Sequence, residues 1–309
     1  METSGEASKL ENIIAAIVRE SPENRLKDFD GQEIFSGVRI GIADGDDALF
    51  ERFQSVVSPN HLLPRAFLER ISAEGKHLTK VRVISWALAF AEPIRRSNRS
   101  ISWPSKMYSA ARNNGGALNF VLSRKLGEFF RKQGYVAEAP RLTDAYDAFR
   151  LPAVTFASTW SEMHIAYAAG LGRFGLNGSL ITPLGSHVRL GSLVVNSPLD
   201  TTTASRGSYR AECWESGGKA CGQCISRCPV DAISSEGLDK EKCYAMRQAV
   251  RSRHLQSYAR EMDLYQAPIV KNGNRISGYS LGCALCQCGV SCEAEDPFSQ
   301  GKDKIHDRC

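Results

Sequence analysis

Thiols crowd one stretch of this chain. It reads Cys213-x7-Cys221-x2-Cys224-x3-Cys228-Pro229, then Cys243, then Cys283-x2-Cys286-x5-Cys292. All but one of the ten cysteines fall within it, counting Cys288; the other is Cys309, the last residue. Cys-x2-Cys-x3-Cys-Pro is the second half of the bacterial ferredoxin spacing. There, closely spaced thiolates wrap one face of an iron–sulfur cube and the Cys before Pro reaches the other cluster. Applied here, this crossing rule predicts a first 4Fe–4S site on Cys213, Cys221, Cys224 and Cys292. It predicts a second on Cys228, Cys243, Cys283 and Cys286.

Two other uses of such thiols weigh less. Disulfide frameworks belong to short secreted chains, whereas a long thiol-free region precedes these cysteines. Four-cysteine zinc sites also use C-x2-C pairs, but the Cys-Pro element and the uneven spacing favour iron–sulfur. Cys288, two residues after Cys286, can replace it as a ligand, although x2 is the usual spacing in such loops. Cys309 receives no role.

The elements that must position these thiols follow from hydrophobic periodicity. Ser8-x-x-Glu11 reads as a capping box opening a helix over 8–20, with Leu10, Ile13, Ile14, Ile17 and Val18 on one stripe. Val38 to Ala43 alternates as a strand. Asp44-Gly-Asp-Asp47 then reads as a turn and helix N-cap before Phe50 and Phe53, in preference to a metal site. Val81 to Phe90 is a buried strand. The basic residues after it (Arg95, Arg96, Arg99, Lys106, Arg112) read as a solvated loop in preference to an anion site. Leu118 to Phe130 marks a long amphipathic helix ending at Gly134, and a strand begins near Tyr135. Strands mixed with helices predict an α/β or α+β layer fold. The composition shift near residue 205 divides a first domain, 1–205, from a cluster domain, 206–309, in which residues 239–265 are mostly helical.

Between the two regions lies a glycine-rich loop. Thr159-x-x-Glu162 reads as a second capping box, opening a helix from Met163 to Ala169. It ends in Gly170-Leu-Gly172-Arg-Phe-Gly175-Leu-Asn-Gly178. A dinucleotide fingerprint requires a strand before such glycines and a helix after them. The order is reversed here, which argues against that reading. What remains is either a tight structural turn or a loop whose backbone can approach a large ligand closely. Gly185 and a strand from Val188 to Asn196, with Arg189 near its start, follow at once.

These residues carry a resemblance. The run from Ser161 to Leu199, followed by the eight-thiolate pattern, resembles the epoxyqueuosine reductase and reductive dehalogenase superfamily, in particular its shorter epoxyqueuosine reductase-like members. The similarity extends back to Phe35 and the Gly41-Ile-Ala-Asp-Gly-Asp-Asp segment. It implies an α+β protein: a nitroreductase-like α/β layer domain carrying cobalamin, followed by a ferredoxin-like domain with two 4Fe–4S clusters. In that family the glycine loop and following strand line the corrinoid pocket, which nominates Gly170, Gly172, Gly175, Gly185 and Arg189 as cofactor-binding. Some features differ. Phe156 stands where epoxyqueuosine reductases have an acid, no D-x-H-x-x-G supplies a lower cobalt ligand, and the helical-repeat tail that helps hold tRNA has no counterpart. Glu162 and His164, at the start of the helix entering the loop, are the candidate proton donors. A capping acid and a packed helix residue are their plainer alternatives.

Composition is that of a water-soluble globular chain: 309 residues, 42% hydrophobic and 24% charged, with a net charge of +5. That charge permits an anionic partner without demanding one, and with the missing tail it argues against tRNA as the substrate. No signal peptide or membrane span is expected, and a reduced cytoplasmic setting suits the thiols. Two functions follow. One is a corrinoid-dependent reductase cleaving a C–O, epoxide or C–halogen bond in a small molecule, fed by a ferredoxin- or flavodoxin-type donor. The other is a non-catalytic electron carrier reducing a partner protein or its corrinoid.

Overall fold

The computed structural model describes residues 5–72, 78–99, 101–149, 156–202, 208–211, 213, 221–258, 261–262, 264–265, 267–271, 274–278 and 282–297. The side chains of Leu255 and residues 266–281 are outside the description, as is Cys309.

Helix α1 (Gly5–Glu20) buries Ala7, Leu10, Ile14 and Val18, a stripe at helical spacing. It begins before Ser8, so the capping box expected there does not open it. Glu11 instead reaches across to strand β1 (Phe35–Asp44), where Oε2 accepts from the Ile40 N–H at 3.1 Å. After β1 come α2 (Leu49–Val56) and α3 (Pro64–Ile71). The aspartate turn between β1 and α2 is held locally. Asp44 Oδ1 accepts from Asp46 N, Asp47 Oδ1 accepts from Leu49 N, and the Asp46 carboxylate is paired with Arg65.

Strand β2 (Val81–Phe90) is the centre of the sheet and is buried along nearly its whole length. A strand covered on both faces needs no polar alternation, which explains its continuous apolar run. Ile84, Trp86, Leu88 and Phe90 face α1 and the long helix α5 (Lys106–Lys132). Val81 and Val83 point the opposite way, toward α2, α3 and α6 (Glu162–Ala168). Between β2 and α5 lies the short α4 (Glu92–Ser97), so the basic stretch is mostly helical and not a loop. Much of its charge is paired: Arg96 with Glu92, Arg99 with Glu92 and Glu293, and Lys106 with Glu261.

The sheet is completed by β3 (Ala137–Glu138) and β6 (Val188–Asn196), in the order β1-β2-β6-β3 with every pair antiparallel. The register runs from Val188 opposite Ala89 to Asn196 opposite Val81. An antiparallel sheet with helices on both faces makes the fold α+β. Between α6 and β6, β4 (Arg173–Phe174) and β5 (Leu180–Ile181) form a small hairpin.

The C-terminal region contributes α7 (Gln223–Ser226) and α8 (Lys240–Ser257). Asp239 caps α8 by accepting from the N–H groups of Glu241 and Lys242, both at 3.0 Å. The boundary expected near 205 lies outside the described residues. Contacts cross it: Ser186 N–H donates to the Cys292 carbonyl at 2.7 Å, and Arg227 donates to the Asn98 carbonyl at 2.8 Å. Among the described residues, no helix is long and apolar enough to cross a membrane.

Candidate active site at the thiol-lined cavity

The cysteines fall into two groups. Burial raises the pKa of Cys224 to about 12, and the neighbouring thiols of Cys292, Cys213 and Cys221 push it the same way. Cys292, raised to about 11, again has Cys213 and Cys221 as neighbours. In the second group burial raises Cys283 to about 11, with Cys243 and Cys228 adding to it. Cys286 is raised well above the ordinary thiol range by burial, then by Cys283 and Cys243, with Cys224 of the first group and Cys228 adding to it, so the two groups adjoin at Cys286. Thiols that raise one another's pKa cannot all ionise unless a cation compensates them, as iron–sulfur or metal ligation does while displacing the protons. The donor set fits iron–sulfur binding. Backbone donors are also in place: Leu176 N lies 3.3 Å from Cys213 Sγ, and Ala232 N lies 3.2 Å from Cys228 Sγ.

Cys288 stands apart from both groups. It is fully buried, 3.3 Å from Nδ1 of His187, and forms with His187 and Glu293 a compact trio whose ligand atoms lie within 4.8 Å of one another. Glu293 is ion-paired to Arg99 at 2.9 Å, and burial followed by Arg95, Arg112 and Arg99 holds the His187 pKa at about 3. That positive surrounding opposes a cation and leaves the trio as packing between the 282–297 segment and the start of β6. No local motif announces it, because His187 and Cys288 are 101 residues apart.

One cavity of about 840 Å³ collects most of the remaining chemistry. Cys228, Cys243, Cys283 and Cys286 all line it, while Cys213, Cys221, Cys224 and Cys292 do not. Glu162 and His164, from the first turn of α6, are on its wall, as are Gly175, Gly178 and Arg189. Thr159 does not cap α6: its hydroxyl serves Asp147 N and the Ala145 carbonyl, and the N-cap is Ser161.

Several nominated residues have other duties. Gly170, Gly172 and Gly185 do not line the cavity. A Cβ on Gly172 would lie 2.1 Å from the Ile181 carbonyl oxygen, so this glycine lets the β4–β5 hairpin close. A Cβ on Gly185, whose φ is +81°, would lie 2.3 Å from the Glu293 carbonyl oxygen, so that glycine admits the cysteine-bearing segment. Arg173, beside the loop, is engaged by Asp296 at 3.4 Å.

The two proton-donor candidates differ in state. Burial raises the Glu162 pKa, while Arg141 and a hydrogen bond from Ser192 partly oppose it. Burial, then His61 and Lys240, lowers His164 to about 3, so it is neutral near pH 7. Both its ring nitrogens are engaged, Nδ1 with Ser161 Oγ at 2.8 Å and Nε2 with the Tyr209 hydroxyl at 3.2 Å.

No protein-family model and no curated protein matches this chain. Solved structures do. A selenomethionine-labelled epoxyqueuosine reductase matches at 15% identity and a TM-score of 0.48, over 93% of this chain and 66% of its own. A second, an epoxyqueuosine reductase with an epoxyqueuosine-modified tRNA stem loop, matches at 16% identity and a TM-score of 0.45. A third, from Bacillus subtilis with a catalytic loop swung out of its active site, matches at 16% and 0.40. The latter two cover 79% of this chain and 58% of their own. The chain is similar to epoxyqueuosine reductases. It spans less than two thirds of the length of these structures.

Proposed function

We propose that this protein is an iron–sulfur reductase with two 4Fe–4S clusters, acting on a small molecule held in the 840 Å³ cavity. The observation that carries this reading is the placement of the second thiol group, Cys228, Cys243, Cys283 and Cys286, on the cavity wall while the first group lies outside it. An iron–sulfur cube on the second group can pass single electrons into the cavity, and a cube on the first can receive them from a low-potential donor of ferredoxin or flavodoxin type. A carrier that only shuttles electrons needs no large cavity beside its terminal cluster, which favours the enzyme over the electron-transfer alternative.

Cobalamin is the proposed partner of the clusters. Gly175 and Gly178 add no side-chain bulk to the wall, and Arg189, which donates to the Arg112 carbonyl at 3.1 Å, lines the same cavity. A corrinoid bound there supplies the chemistry for reductive cleavage of a C–O, epoxide or C–halogen bond. The chain's own part is to hold the substrate, exclude water and deliver a proton. Glu162 is the residue for the proton: its burial favours the protonated acid, whereas His164 is neutral with both nitrogens hydrogen-bonded. Phe156 lines the same cavity, with the Arg247 guanidinium 5.8 Å from its ring centroid, so an aromatic face occupies the position where the resembled reductases have an acid.

Anaerobic purification with iron, sulfide and corrinoid analysis tests the reading. Iron and sulfide at about eight each per chain, with cob(II)alamin retained on titration, is the expected result. Stoichiometric zinc without sulfide defeats the cluster assignment. Clusters without corrinoid retention at micromolar concentration return the electron-carrier function.

A further inference from the structure

The cavity is charged in a way that its thiols and its acid do not explain. Six cationic side chains line it: Arg112, Arg141, Arg189, Arg210, Lys240 and Arg247. Among the described residues its only carboxylates are Glu162 and Glu236, and burial holds Glu162 toward its neutral form.

Arg112 is the informative member. It projects from α5 into the protein interior, where desolvation lowers its pKa, and Arg247 and Arg141 add like-charge repulsion. Its side chain has a hydrogen bond with the Tyr108 hydroxyl, and none of the described carboxylates pairs with it. Arg141 donates to the Tyr146 hydroxyl at 3.0 Å and stacks over that ring at 4.5 Å; the acid its charge acts on is Glu162, whose pKa it lowers against the larger, opposite effect of burial. Arg247 has the Phe156 ring beside it. A largely buried guanidinium without a carboxylate partner is costly, and two more placed to repel it increase the cost. Such an arrangement is stable when the site regularly holds an anion, and planar guanidinium forks suit the oxygens of phosphates and carboxylates.

From this we infer that the cavity recognises a small molecule bearing an oxyanion, phosphate or carboxylate, held by Arg112 and Arg141 with Arg247 at the rim. This rests on the cavity being the substrate site of the proposed reductase. It adds the class of substrate: anionic, with its charged group between the cysteine-lined wall and Glu162. Arg112 and Arg141 are only partly exposed, whereas Arg210, Lys240 and Arg247 are exposed, so the recessed pair suits the charged group of a small molecule.

A plainer role for Arg112 is to offset the charge of the nearby thiolates, since a Cβ on Gly282 would lie 3.2 Å from Arg112 Nε. One experiment separates the two. Cluster-loaded, corrinoid-free protein is titrated with phenyl phosphate and benzoate, and with benzyl alcohol as a neutral isostere, following tryptophan fluorescence from the cavity-lining Trp160. Saturable binding of at least one anion, little of the alcohol, and at least a tenfold weaker Kd in Arg112→Gln and Arg141→Gln is expected. Arg112→Lys should recover part of the affinity. Equal binding of the alcohol, no binding of either anion, or variants that shift the cluster potential while leaving anion affinity unchanged would overturn the inference. Tighter binding of an RNA stem loop than of the small anions would overturn it too. Iron content and circular dichroism on the same samples show whether a variant has folded and loaded. Neither readout requires corrinoid or turnover, so failure here stands apart from failure of the reductase reading.

Discussion

The Ser192 hydroxyl donates to Oε2 of Glu162 at 2.6 Å, and its oxygen accepts from Nε1 of Trp160 at 2.8 Å. An indole N–H can only donate, so it turns the hydroxyl proton toward the carboxyl group. Oε2 is therefore an acceptor, and a proton carried by Glu162 resides on Oε1. The chain from Trp160 through Ser192 orients the acid on the cavity wall.

A pH dependence follows. The folded-state pKa of Glu162 is raised by burial, so the stability it contributes is fully present below its unfolded value, about 4.3. It is lost as pH rises through the higher folded value. The difference in Tm between the wild type and Glu162→Gln should move against the wild type as pH rises above the ordinary carboxylate range. A difference that stays flat with pH contradicts the buried-acid assignment. Ser192→Ala removes a contact that lowers this pKa, so the window should move further up. If Glu162 delivers the proton, Glu162→Gln should also cost about 10²-fold or more in kcat.

The grouping of thiols predicts which ligand belongs to which cluster. Cys228→Ala should damage the cluster shared with Cys283 and Cys286, although Cys228 adjoins Cys221 and Cys224 in the chain. Cys292→Ala should damage the other, whose thiols lie near Cys224 and Cys213. Each variant should retain about half the iron. Reduction of the remaining cluster, followed by electron paramagnetic resonance, distinguishes them. Loss of the same signal in both variants contradicts the two groups.

Cys288 should be dispensable for iron. Its thiol is 3.3 Å from His187 Nδ1 and 3.3 Å from the Ala284 carbonyl, in a fully buried site. Cys288→Ala is expected to keep full iron and to lose about 1 kcal/mol of stability through lost packing. Iron loss in Cys288→Ala with none in Cys286→Ala would exchange their roles.

Much of this arrangement is legible in local pattern. The continuous apolar run of β2, the stripe of α5, and the aspartate cap of α8 are all short-range signals that tertiary contacts reinforce. What local pattern does not carry is pairing across distance. β2 lies against β6, far along the chain, and the antiparallel order of the sheet depends on that pairing. The two apparent capping boxes fail for a related reason. Glu11 is drawn to the Ile40 N–H and Thr159 to the Asp147 N–H, and those contacts outcompete local caps. The basic stretch likewise divides by tertiary position: Arg96, Arg99 and Lys106 find acids, whereas Arg112 turns into the cavity.

The glycine loop gives the last prediction, and the substitution that tests it has to be chosen from the packing. Gly172→Val would drive a side chain into the Ile181 carbonyl, so it should unfold the β4–β5 hairpin region, costing about 3 kcal/mol or more. Lost cofactor binding in that variant would say nothing about the cavity. Val188 is better placed: it lines the cavity at the start of β6, is only partly buried, and pairs with Ala89 through backbone that a larger residue leaves in place. Val188→Trp is expected to keep iron content and thermal stability close to the wild type while lowering cob(II)alamin retention at least tenfold, because its bulk occupies space in the cavity that Arg189 and the second thiol group also line. Titration followed by visible spectroscopy checks it. Undiminished retention in a folded, iron-replete Val188→Trp protein would place the corrinoid outside this cavity.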